Sequence, residues 1–169
     1  FESLSNSQAD AACVNGSADG FSCNNIDLLS HTPLSQLGLI STSAGNDIWG
    51  MVDLNDQREY AIMGLNNGVS VVDVTNSSAP HVVGTISSQN TTWRDIKTYQ
   101  FYNTDTNRWN AYAYVTADSL SVGLMVIDLT ELPNKVSLAN VDRTDTSAHN
   151  VYISNVDYTT GVALTGKSA

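Results

Sequence analysis

From Asp47 onward the chain runs in short apolar stretches of period two, cut by Asn, Asp and Gly turns, and the pattern recurs. One unit takes residues 49–54 from Trp49, an acidic turn at 55–58, residues 59–64, a turn at Asn66, Asn67 and Gly68, and a strand ending in Asp73, Val74 and Thr75. A second takes 93–99 from Trp93, a turn at 103–107, residues 111–116, and a strand from Gly123 ending in Asp128, Leu129 and Thr130. Gly68 and Gly123 are 55 residues apart, as are Asp73 and Asp128. Trp49 and Trp93 are 44 apart, so aligning them puts the difference into a longer second loop. A third unit opens at 149–154 from His149, turns over 155–160 and gives 161–166. No Gly-x-x-Val-x-Asp-x-Thr strand follows it.

Each unit supplies three antiparallel strands. A fourth is expected after Pro80 at 81–86, and its counterpart between Val136 and Val141. Four short strands per repeat of about 45–55 residues is the signature of a β-propeller blade. Such a sheet buries both faces only between neighbours. The expected fold class is therefore all-β: a partial β-propeller of about two and a half four-stranded antiparallel blades over residues 48–169, the third truncated. A plain β-sandwich is the alternative. Closed propellers have at least four blades, so the remaining ones are expected from a longer form of the same protein or from another chain.

Residues 1–47 are polar and broken, and read as an N-terminal cap with one short helical turn near Pro33–Leu37, where Thr32 caps and Pro33 takes the first helical position. Cys13 and Cys23 flank a segment rich in turn formers (Asn15, Gly16, Asp19, Gly20), so a disulfide closing that loop is expected. Two cysteines match no zinc pattern. A disulfide and a surface of Ser, Thr and Asn, with only 14% charged residues, point to an oxidising compartment: secreted, extracellular or cell-surface, with the periplasm included. A start at Phe1 with no signal peptide fits a mature secreted protein or a trimmed piece. Asn15, Asn76 and Asn90 stand in Asn-x-Ser/Thr sequons. The formal charge of −10 argues against nucleic acid and anionic membrane surfaces as partners. No apolar run approaches the 18 residues of a membrane span.

The segment from Cys13 to Cys23 and on through Asn25 to His31 resembles the opening of the choice-of-anchor B family. So do Asn46-Asp47-Ile48-Trp49-Gly50, Arg58-Glu59-Tyr60-Ala61 with Gly64, Gly68 to Thr75, Trp93 to Lys97, and Ser147 to Asn150. The resemblance covers most of 13–166 in order. It implies a secreted or surface-attached protein of LVIVD-type propeller repeats, some of them labelled regulatory P-domain proteins of subtilisin-like convertases. The chain departs from the family at Met51-Val52, in place of a Trp-rich stretch, and at Ser121-Val122-Gly123, where a His-Gly is usual.

If the units are blades, Trp49, Trp93, Arg94, Asp95, His149 and Asn150 fall at the starts of inner strands, near one rim of the channel. Polar groups converging on such a mouth form a candidate ligand site. The competing expectation is structural: Arg94 and Asp95 paired across blades, with Trp49 and Trp93 as core anchors. Asn103, Asp105 and Asn107 alternate oxygens in a turn, as do Asp53, Asn55 and Asp56, which makes calcium a candidate cofactor beside the plainer expectation of Asx-rich hairpin turns. The three histidines, His31, His81 and His149, stand near no Gly-x-Ser-x-Gly elbow and form no His/Cys metal cluster. A non-enzymatic surface scaffold or binding module, with a protein or glycan partner, is the leading expectation. The alternative is a regulatory or substrate-binding region of an extracellular, protease-associated enzyme whose catalytic residues lie outside this chain.

Overall fold

The computed structural model describes residues 10–118, 123–144 and 147–166. Residues 1–9 of the expected cap, Ser121 and Val122 of the family comparison, and residues 167–169 at the end of the expected 48–169 region lie outside these. The described residues are all-β, with twelve strands and no α-helix.

A two-residue ribbon opens the chain, β1 (Ser17–Ala18) against β2 (Phe21–Ser22). Asp19 and Gly20 turn it with positive φ, which Gly and Asp tolerate best. Cys13 and Cys23 are joined in a disulfide across this ribbon. A single 3-10 turn follows at Leu34–Gln36. Here the expected capping is displaced by one residue. Pro33 itself precedes the turn in an extended conformation and no side chain caps it, because a Pro φ suits extended backbone as well as a first helical position.

Two four-stranded antiparallel ladders form the body. The first is β3 (Gly45–Val52), β4 (Glu59–Leu65), β5 (Gly68–Asp73) and β6 (His81–Ser87), in chain order. It starts at Gly45, three residues before the expected boundary. The second is β7 (Ile96–Asn103), β8 (Arg108–Val115), β9 (Leu124–Asp128) and β10 (Ser137–Asp142). Among the described residues the third unit adds only β11 (Val156–Asp157) and β12 (Val162–Ala163), the latter meeting β7 in one parallel rung, Val162 to Gln100. Its opening stretch 149–154 is not a strand, and β11 falls inside the expected turn.

The two ladders are equivalent residue by residue. Tyr60 faces Met51 on one side and Asp73 on the other; Tyr112 faces Tyr99 and Asp128. The Asp-x-Thr ending recurs bond for bond. Thr75 N–H donates to Asp73 Oδ1 and Thr130 N–H to Asp128 Oδ1, both at 2.9 Å. Each threonine hydroxyl then accepts a main-chain N–H from the neighbouring strand, Glu59 at 3.0 Å and Ala111 at 3.2 Å. This register makes Asp47 the counterpart of Asp95, and Trp49 the counterpart of Lys97. The alignment of Trp49 with Trp93 is thus corrected by four residues. The extra length of the second unit does not loop out either. It extends the β7–β8 hairpin, which pairs down to Asn103 and Arg108. Trp93 precedes β7 altogether.

The glycines of the repeat are explained by crowding. A Cβ on Gly68 would run into the Ile86 carbonyl, and one on Gly123 into the Asp142 carbonyl. At both places the third strand passes close under the fourth.

One core lies between the ladders. Met51, Tyr60, Ile62, Val69 and Val71 of the first meet Ile96, Ala111, Ala113, Val115, Met125 and Ile127 of the second. On the far side of the first ladder, Leu34, Leu37 and Leu39 of the N-terminal segment cover Leu65, Val72, Ala61 and Met63. The second ladder's far face carries Tyr99, Tyr112, Tyr114, Leu124 and Val126, all half-buried. These are the equivalents of Met51, Tyr60, Ile62, Val69 and Val71, which the second ladder buries.

The disulfide closes a short loop, so its removal is expected to release about 2–3 kcal/mol of chain entropy in the unfolded state. The segment shares little core with the ladders. The C13S/C23S variant should therefore speed amide exchange over 11–28 while global unfolding of the ladders shifts little. Unchanged exchange there would refute this.

Candidate functional site

A cleft of about 770 Å³, lined mostly by polar residues, opens where the starts of the three units meet. Its walls come from 43–47 at the head of β3, Asn66 in the β4–β5 turn, 91–95 leading into β7, and His149 with Asn150. The structure brings Trp93, Arg94, Asp95, His149 and Asn150 together along this cleft. Trp49 stands apart from the cleft. Its ring lies under Lys97 Nζ, 4.2 Å from the centroid, and 5.6 Å from the ring of Tyr158.

Asp95 is the most heavily bonded side chain here. Its Oδ1 accepts from Ile96 N–H at 3.0 Å and Lys97 Nζ at 2.6 Å. Its Oδ2 accepts from Val151 N–H at 2.8 Å and Asn150 Nδ2 at 3.3 Å. Burial pushes this carboxyl up, but the bonds from Lys97, Val151 and Asn150 outweigh burial and hold it below the usual carboxylate range. Asp47 makes the same link one unit earlier: its Oδ2 accepts Ile96 N–H at 2.8 Å. Each aspartate thus reaches forward to a main-chain amide of the next unit.

Arg94 and Asp95 do not pair with each other. Arg94 is 4% exposed and turns into main-chain carbonyls, Nε to Leu65 O and Nη2 to Gln89 O, both at 2.8 Å. Its Nη1 is enclosed without a partner. Burial alone pushes its pKa down to about 10, so it remains charged at neutral pH. The guanidinium braces the 88–94 segment against the end of the first ladder.

Trp93 is 53% exposed on the lip, its ring 6.0 Å from that of His149. His149 Nδ1 lies 3.5 Å from Asp118 Oδ2. Thr91 hydroxyl donates to the Asp118 carbonyl and Thr116 hydroxyl to the His149 carbonyl, which fixes both lips.

Sequence reasoning passed over Asn46, Asp47 and Asn66 as site residues. The signal was present: Asn46-Asp47-Ile48, Arg94-Asp95-Ile96 and Asn150-Val151 line up once the tryptophans are ignored.

The oxygen-rich turns lie elsewhere and are engaged with their own backbone and neighbours. Asn103 Oδ1 accepts from Asp105 N–H at 2.9 Å, Asn107 Oδ1 from Tyr102 hydroxyl at 2.6 Å, and Asp53 Oδ1 from Asn55 N–H at 2.8 Å. Among the described residues no three His, Cys, Asp or Glu side chains are grouped to hold a metal ion.

No family model, curated protein or solved structure matches this chain.

Proposed function

We propose that the chain forms neighbouring blades of an extracellular β-propeller and acts by binding, without chemistry of its own, a protein or glycan ligand at the rim cleft. One observation carries the reading. The cleft is built jointly by the starts of three repeat units, held in step by the Asp47–Ile96 and Asp95–Val151 bonds, and a cleft at the meeting of repeated units is where ligands collect. The Cys13–Cys23 bridge and the likeness of 13–166 to choice-of-anchor B proteins support an extracellular setting. Among the described residues no helix is long and apolar enough to cross a membrane. The half-buried far face of the second ladder suits a further blade, supplied by a longer form of the protein or by another chain.

The test is a binding screen of immobilised chain against peptide and glycan libraries. Trp93→Ala at the rim is expected to weaken whatever binds by at least about tenfold, as loss of an aromatic anchor does. Phe101→Ala, on the far face of the second ladder, should leave binding unchanged. Equal effects of the two would refute a rim site.

A further inference from the structure

Resting on the rim reading above, we propose that the cleft is a saccharide site for an uncharged glycan, with Trp93 as its stacking platform.

The first ground is Trp93 itself. An indole half in water is costly, and this one packs into neither hydrophobic core. It is held by its backbone instead: Trp93 N–H reaches Thr91 hydroxyl at 3.4 Å and the Trp93 carbonyl accepts Asp118 N–H at 3.1 Å. A flat ring presented by a fixed backbone at a polar lip suits the C–H face of a pyranose, apolar on one side and hydroxylated around its edge.

The second ground is the wall. Ser43, Asn46, Asn66, Thr92 and Asn150 supply short amides and hydroxyls. Asn66 Oδ1 accepts from Ser43 and Ala44 N–H, and its Nδ2 stays outside any hydrogen bond among the described residues. Asn150 gives Nδ2 to Asp95 and keeps its Oδ1. Paired donors and acceptors of this kind match sugar hydroxyls, which both give and accept. Trp93 is the one large apolar side chain among the described residues lining the cleft, so no cluster of apolar side chains stands there to seat the buried anchor of a protein partner.

The third ground is charge. Asp95 is saturated by four donors, and Arg94 is committed to carbonyls with its remaining nitrogen enclosed. Asp47 Oδ2 accepts Ile96 N–H, and with no cation beside it among the described residues this carboxylate disfavours an anionic ligand. Among the described residues no lysine or arginine faces the opening to select an anion, and a chain of net charge −10 repels polyanions.

The experiment titrates the full chain with neutral hexasaccharides of glucose and N-acetylglucosamine in α and β linkage, a hexagalacturonate, and a mixed peptide pool. Binding is read by tryptophan fluorescence and saturation-transfer NMR up to about 10 mM, the range of one stacked ring and a few hydrogen bonds. At least one neutral hexasaccharide should bind, about tenfold or more weaker in Trp93→Ala and largely rescued in Trp93→Phe. Peptides bound at the rim, or the acidic hexamer bound in preference, with neutral sugars silent, would overturn the saccharide assignment and leave the rim site standing. Saccharide binding indifferent to Trp93→Ala would overturn both. So would a chain that binds none of these probes.

Discussion

Asp95→Ala is expected to lower the unfolding free energy by about 3–5 kcal/mol, the cost of breaking a buried charged pair from one side. Lys97 would keep its ammonium beside Trp49 with no carboxylate, and Val151 N–H and Asn150 Nδ2 would lose their acceptor. Asp95→Asn keeps an acceptor and should cost about 1–2 kcal/mol. Urea unfolding measures the loss, and amide exchange at Val151 shows whether the third unit has come away. A loss under about 1 kcal/mol would refute the central place given to this carboxylate. The pH effect has a definite sign. Asp95 titrates lower in the folded chain than in the unfolded one, so its contribution is full above the unfolded value near pH 4. It fades as pH falls through the lower folded value. Wild type should therefore lose stability on acidification more steeply than Asp95→Asn.

The second large effect is expected at the glycines beneath the fourth strands. Gly68→Ala and Gly123→Ala should each cost about 2–4 kcal/mol, since the added methyl displaces a main-chain carbonyl that no rotamer change can move. Gly123 adds a φ of +77°, a conformation that alanine adopts only with strain. Gly50 is the internal control. It lies in β3 with nothing within 4 Å of the place a methyl would take, and Gly50→Ala should be neutral or slightly stabilising. Thermal melts of the three variants decide the matter. Equal behaviour at all three would mean that the glycines are not placed by crowding.

The alternation of apolar residues made the ladders legible, because a strand with a buried face must repeat every second residue. Asp73 and Asp128 with their threonines carried the register, since the aspartate clasps the threonine N–H two residues on and the threonine hydroxyl then meets the strand alongside. The tryptophans misled. Trp49 and Trp93 share a residue type but do different work, one under Lys97 and one on the cleft lip, and a hairpin lengthened by pairing leaves no mark that separates it from a longer loop. The third unit was legible as sequence and not as structure: 149–154 lies beside the cleft without a ladder neighbour, and a strand needs one. Asp47 was hidden, and Asp95 was assigned the wrong partner in Arg94, for another reason. Their role is a bond to an amide 49 and 56 residues away, which no local pattern announces.

Those two carboxylates look in the same direction along the chain. Each of the first two units can complete its own rungs, yet one oxygen of its aspartate, Oδ2, finds its main-chain donor only in the following unit. Each later unit is thereby tied to its predecessor by a charge-assisted bond, and the second by apolar packing as well. At the head of the third unit Asn150 stands where the other two carry an aspartate, and its amide Nδ2 turns back to Asp95 at 3.3 Å.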